Sequence, residues 1–81
     1  MRVHLHVRDK VIAVECGDGS QQARWLGHVG VARYDDNFGK SLGAAKGVQK
    51  EGGVICEPTE RICDVLEHDQ HCFVILNDFA E

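Results

Sequence analysis

The sequence predicts an α+β domain built on one sheet, and three observations carry that expectation. Residues 1–7 alternate strictly: Val3, Leu5 and Val7 face one way, and Arg2, His4 and His6, with Arg8 after them, the other. A stretch of helical spacing follows a glycine-rich break at residues 16–20. Near the end, Cys72-Phe73-Val74-Ile75-Leu76 is a nearly all-apolar run, the composition of a strand lying in the middle of a sheet.

Each element follows from its local pattern. Arg8-Asp9-Lys10 reads as a tight turn, and residues 11–16 as a second strand with Ile12, Val14 and Cys16 inward, which makes an amino-terminal hairpin. Cys16-Gly17-Asp18-Gly19-Ser20 is a break in which Asp18 or Ser20 is placed to cap a helix. From residue 21 to about residue 34 the spacing is helical, with Trp25, Leu26, Val29 and Ala32 or Arg33 three and four apart. Gly27 and Gly30 each weaken that helix by about 1 kcal/mol relative to alanine, so it leans on packing.

Residues 35–53 are the least patterned. Gly39, Gly43 and Gly47 recur every fourth position, among polar neighbours that rule out a membrane helix-pairing role. Residues 44–49 suit a third strand, Glu51-Gly52-Gly53 a turn, and Val54-Ile55-Cys56 a short fourth strand. Glu57-Pro58-Thr59-Glu60 opens a second helix, with Pro58 in its first turn and acids set favourably against the dipole. Ile62, Val65 and Leu66 give that helix an inward stripe, and His68-Asp69-Gln70 is a turn before the fifth strand. The order β-β-α-β-β-α-β, with the last strand returning beside the first, is the ubiquitin-like β-grasp plan.

Eighty-one residues support one domain, expected over residues 1–78, with residues 79–81 starting a linker. A composition of 43% hydrophobic and 27% charged residues excludes a disordered chain. No apolar run approaches the length of about 18 residues needed for a membrane span. The amino terminus lacks a signal peptide's continuous apolar stretch, so the expected location is cytoplasmic. Cys16, Cys56, Cys63 and Cys72 form no CxxC pair, and all but Cys56 lie in periodic apolar patterns. Reduced, buried thiols are the expectation.

The chain offers little for catalysis. Gly39-Lys40-Ser41 resembles the tail of a phosphate-binding loop, but the glycine required five residues earlier is Tyr34. Gly17-Asp18-Gly19 begins a dinucleotide fingerprint whose third glycine would fall on Gln22, and Asp18 would repel a pyrophosphate. His4 and His6 share one strand face, and His68, His71 and Cys72 form a second loose set. Neither supplies four ligands at a recognised spacing, so no metal is expected. No cysteine–histidine or carboxylate pair is set by spacing, so neither enzymatic activity nor a cofactor is expected. The few basic residues and core-like aromatics argue against nucleic acid.

What remains is charge. Residues 1–50 carry eight Lys/Arg against five Asp/Glu, and residues 51–81 one against eight. A body with one cationic and one anionic end can bind copies of itself head to tail. The expected basic face is Arg2, His4, His6, Arg8 and Lys10, joined by Ala13 on an edge strand whose outward Val11 and Ala13 invite pairing. The expected acidic face is Glu57, Glu60, Asp64, Glu67 and Asp69.

Several short stretches also bear on family. Cys16-Gly17-Asp18-Gly19, Arg33-Tyr34, Gly52-Gly53-Val54-Ile55, Cys63-Asp64-Val65 and the run Phe73–Leu76 together resemble the amino-terminal oligomerisation domain of the partitioning-defective-three (Par-three) cell polarity scaffold family. The likeness is scattered over nearly the whole chain and weakest over residues 35–50. It implies a β-grasp close to the Phox-and-Bem-type and DIX interaction domains that polymerises front to back. It further implies work at the cell cortex or cell junctions, with the chain itself and other polarity proteins as partners.

By position, the resemblance assigns Arg8 and Lys10 to the basic face. Asp64 and Glu67 fall on the acidic one, Glu67 replacing the family's aspartate. The family's central apolar valine is Ala13 here, and its proline is Glu15. The smaller Ala13 removes apolar burial worth on the order of 1 kcal/mol. The alternative expectation is therefore a monomeric module that associates with a different β-grasp or polarity protein.

Overall fold

The computed structural model describes residues 1–34 and 45–76. Alternation does what it should in the first strand: Val3, Leu5 and Val7 are fully buried along β1 (Arg2–Val7), while Arg2, His4 and His6 face out. The hairpin closes onto β2 (Lys10–Glu15) with Val7 opposite Lys10 and Arg2 opposite Glu15. Val14 and Cys16 are buried, and Val11 and Ala13 are exposed. Helix α1 (Ala23–Arg33) then leads to β3 (Ala45–Lys50), a single helical turn α2 (Ile62–Val65), and β4 (His71–Leu76).

The sheet order is β2-β1-β4-β3, with β4 parallel to β1 in the centre and the outer pairs antiparallel. This is a small α+β domain with a mixed four-strand sheet and two helices. Leu26 and Ala23 of α1, Ile62, Leu66, Val48 and Cys72 complete the buried core over one sheet face.

Helix α1 reaches that core through glycine. Its buried stripe is Ala23, Leu26, Gly27 and Gly30, with Trp25 and Val29 at the margin, whereas Ala32 and Arg33 of the expected stripe are exposed. A Cβ at Gly30 would lie 2.8 Å from Leu5 Cδ2 and 2.9 Å from both Val7 Cγ2 and Val74 Cγ2. The glycine that costs helix propensity is what lets the helix rest directly on β1 and β4.

Three sequence expectations fail for identifiable reasons. Neither Asp18 nor Ser20 caps α1, because Asp18 Oδ1 instead accepts from the Ser20 amide at 3.0 Å, and the N-cap is Gln22. Residues 54–56 make no strand. Gly52 and Gly53 turn the chain at φ +90° and +93°, after which Val54 and Ile55 stay exposed and only Ile55 bridges to Gln49. Among the described residues the sheet therefore has four strands, not five.

The second helix is also shorter than expected and starts at Ile62, beyond Pro58. Its would-be first turn has other partners. The Glu60 and Pro58 carbonyls accept from the Ala23 and Arg24 amides at 2.7 and 3.1 Å, capping α1, and Arg61 bridges to Gln22. In return, the Gln21 and Gly19 carbonyls accept from the Ile62 and Cys63 amides, each at 2.9 Å. The two helix starts thus satisfy one another's orphan amides across a long sequence gap.

Cys16, Cys56 and Cys72 are buried free thiols, but Cys63, expected inward, is exposed. Among the described residues no helix is long and apolar enough to cross a membrane. The Gly39-Lys40-Ser41 stretch, Gly43, Ala44 and the expected domain end at residues 78–81 lie outside the described residues.

Candidate interaction surfaces at the two ends of the sheet

The hairpin tip forms one end. Arg8 adopts a left-handed backbone at φ +54° to close the turn. Lys10 then swings back towards the end of α1, where its ammonium donates to the Tyr34 carbonyl and sits 4.8 Å from the Tyr34 ring centroid. The Tyr34 hydroxyl donates to Asp9 Oδ1 at 3.3 Å. Arg8 and Lys10 remain exposed, and Val11 and Ala13 continue outward along β2, an edge strand of the sheet.

The opposite end is the turn that leads into β4. Because β4 runs parallel to β1, this turn meets the first residues of the chain: the Asp69 amide donates to the Arg2 carbonyl at 2.6 Å, and the Arg2 amide donates to His68 Nδ1 at 3.0 Å. Asp69 is held at φ +65°, a conformation aspartate tolerates better than most residues. Its carboxylate accepts from Arg2 Nε at 2.8 Å, and His4 Nε2 lies 3.2 Å away. His68 accepts through Nδ1 and so carries its proton on Nε2, 3.4 Å from Asp69 Oδ2. The Arg2 hydrogen bond, helped by His4, holds the Asp69 carboxyl down at about 2.

Beside this turn, a groove of about 600 Å³ opens between the end of β3 and α2. Glu51, Asp64, Glu67 and Asp69 line it, against Lys50 and His68. Asp64 is paired with Arg61 at 3.1 Å, while Glu67 is exposed and enters no ion pair among the described residues. The groove is therefore acidic, and its carboxylates are unequal in availability.

The expected faces divide accordingly. Arg8, Lys10 and Ala13 lie together at the tip and the β2 edge. Arg2 and His4, expected with them, instead reach Asp69 of the acidic set. Asp64, Glu67 and Asp69 share the groove, but Glu57 and Glu60 sit on the turn against the start of α1 and do not line it. His6 belongs to neither end. It points from the open sheet face towards His71, with His6 Nε2 and His71 Nδ1 2.8 Å apart.

Sequence reasoning missed Tyr34 as the seat of Lys10 and Glu51 as a groove acid. Neither had a signal, since the first contact spans 24 residues and the second depends on a turn geometry. Burial raises the Cys16 and Cys56 thiols and pushes Cys72 up to about 12, which makes these sulfurs poor nucleophiles. No protein-family model matches the chain, and no curated protein matches it.

Proposed function

We propose that this chain is a β-grasp self-association module that stacks front to back, with the Arg8–Lys10 tip and β2 edge of one copy entering the acidic groove of the next. The observation that supports this reading is separation. The tip follows the last residue of β1 and the acidic turn flanks its first, so six residues at about 3.3 Å each hold the ends roughly 17–20 Å apart. Surfaces so placed are distinct, which makes the contact heterologous and able to propagate. The resemblance to the Par-three scaffold domain points the same way and adds a role in cell polarity as part of the proposal.

The energetics set what each part contributes. Exposed ion pairs between Arg8 or Lys10 and Glu51 or Glu67 are worth about 0–1 kcal/mol each. The rest must come from the apolar edge at Val11 and Ala13, and Ala13 is small. Assembly is therefore weak and salt-sensitive. Sedimentation of the purified chain across protein and salt concentration tests this. Mass should rise with protein concentration and fall with salt, and a monomer at every concentration would overturn self-stacking in favour of a different partner.

A further inference from the structure

The open face of the sheet joins two histidine sets that lie far apart in sequence. His4 and His6 stand on β1, and the parallel register sets His71 of β4 beside His4 and Phe73 beside His6. The His4 and His71 rings stack with centroids 4.8 Å apart, and His6 and His71 meet nitrogen to nitrogen at 2.8 Å. Two imidazole nitrogens at that distance share one proton: one ring donates and the other must offer a lone pair.

We propose that His6 Nε2 and His71 Nδ1 form a two-point chelate for a divalent transition ion of the zinc class, which clamps β1 to β4 in place of that shared proton. Zinc–imidazole bonds of about 2.0–2.1 Å at a tetrahedral angle place the two nitrogens about 3.3 Å apart. The pair must open by roughly half an ångström, a small rotation of two side chains on a rigid ladder. Neutral imidazole suits zinc, copper and nickel, and discriminates against magnesium and calcium. Beside the pair, His4 Nε2 lies 3.2 Å from Asp69 Oδ1 and its ring stacks on His71.

The surroundings allow the added charge. Val11 and Ala13 of β2 flank His6 and His4, and Phe73 of β4 packs on His6 with centroids 4.5 Å apart. The cation on this face, Arg2, is matched by Asp69 and stands opposite Glu15. Among the described residues no group of three or more His, Cys, Asp or Glu could hold a metal ion, so this pair would supply two ligands only and leave the remaining positions to water. Spacing along the chain carries no hint of this pair, because only strand pairing brings residue 71 to residue 6.

The test titrates zinc chloride into the full chain carrying Cys63→Ser, which removes the exposed thiol as a competing ligand. We expect saturable one-to-one binding at pH 7.5. It should weaken by about tenfold or more in His6→Gln and in His71→Gln, and stay unchanged in His28→Gln, a change on the exposed side of α1. Lowering the pH to 5.5 should weaken it, since the ion must displace protons. In the Cys63→Ser chain with every histidine in place, zinc should shift the ring resonances of His6 and His71 first, a readout independent of how well the histidine variants fold. No saturation at pH 7.5, undiminished binding in His6→Gln and His71→Gln, or shifts that begin at His28 or His68 would overturn the proposal.

Discussion

At the hairpin end of the sheet Lys10 leans on Tyr34 and keeps its exposure, whereas at the other end Asp69 gathers Arg2, His4 and His68 around one carboxylate. The first arrangement orients a charge without neutralising it. The second consumes its charges in fastening the turn before β4 to the start of β1. Formal charge in the sequence therefore sorts into two kinds: carboxylates and guanidinia paired within the fold, and those such as Glu67 and Arg8 that stay exposed with no ion pair among the described residues. On our proposal, the second kind does the stacking.

Both ends hang from one core, so the largest expected effect removes the distinction between them. Gly30→Ala gains about 1 kcal/mol of helix propensity but forces a methyl against Leu5, Val7 and Val74. Overpacking of that kind costs typically about 1–3 kcal/mol. A lower urea midpoint with a single transition reported from both ends is the expected outcome, and unchanged stability would show that α1 can slide.

Asp69→Asn loosens the turn end alone. The folded carboxyl sits at about 2, below the usual unfolded value of about 3.9. Its contribution is therefore fully present above pH 4 and lost as pH falls through about 2. Urea midpoints measured from pH 5 to pH 2 should fall across that window, and the fall should flatten in Asp69→Asn. Lys10→Met acts on the tip alone. It keeps the apolar stem but removes the cation over Tyr34, for an expected loss of about 0.5–1 kcal/mol that shows no such acid dependence.

The hairpin and last strand were readable because period-two alternation and a continuous apolar run are local signals, and Val3, Leu5, Val7 and Cys72 are buried as they imply. The start of α2 was not readable. Glu57-Pro58-Thr59-Glu60 has good helix-opening composition, yet its carbonyls are committed to α1, and nothing within ten residues announces that. Gly30 was half readable: its cost in propensity implied that α1 leans on packing, and only the packed helix reveals the glycine as clearance over Leu5, Val7 and Val74. The candidate surfaces were half legible. Sequence identified the charges, but whether Arg2 is free or spent depends on Asp69, 67 positions away.

The most direct test of front-to-back stacking uses two one-sided variants, Lys10→Glu at the tip and Glu67→Lys at the groove, followed by sedimentation. If stacking is front to back, each alone should stay monomeric at concentrations where the unmodified chain assembles, and an equimolar mixture should recover dimers or longer species. Assembly by either variant alone at the unmodified level, or a mixture that remains monomeric, would contradict it.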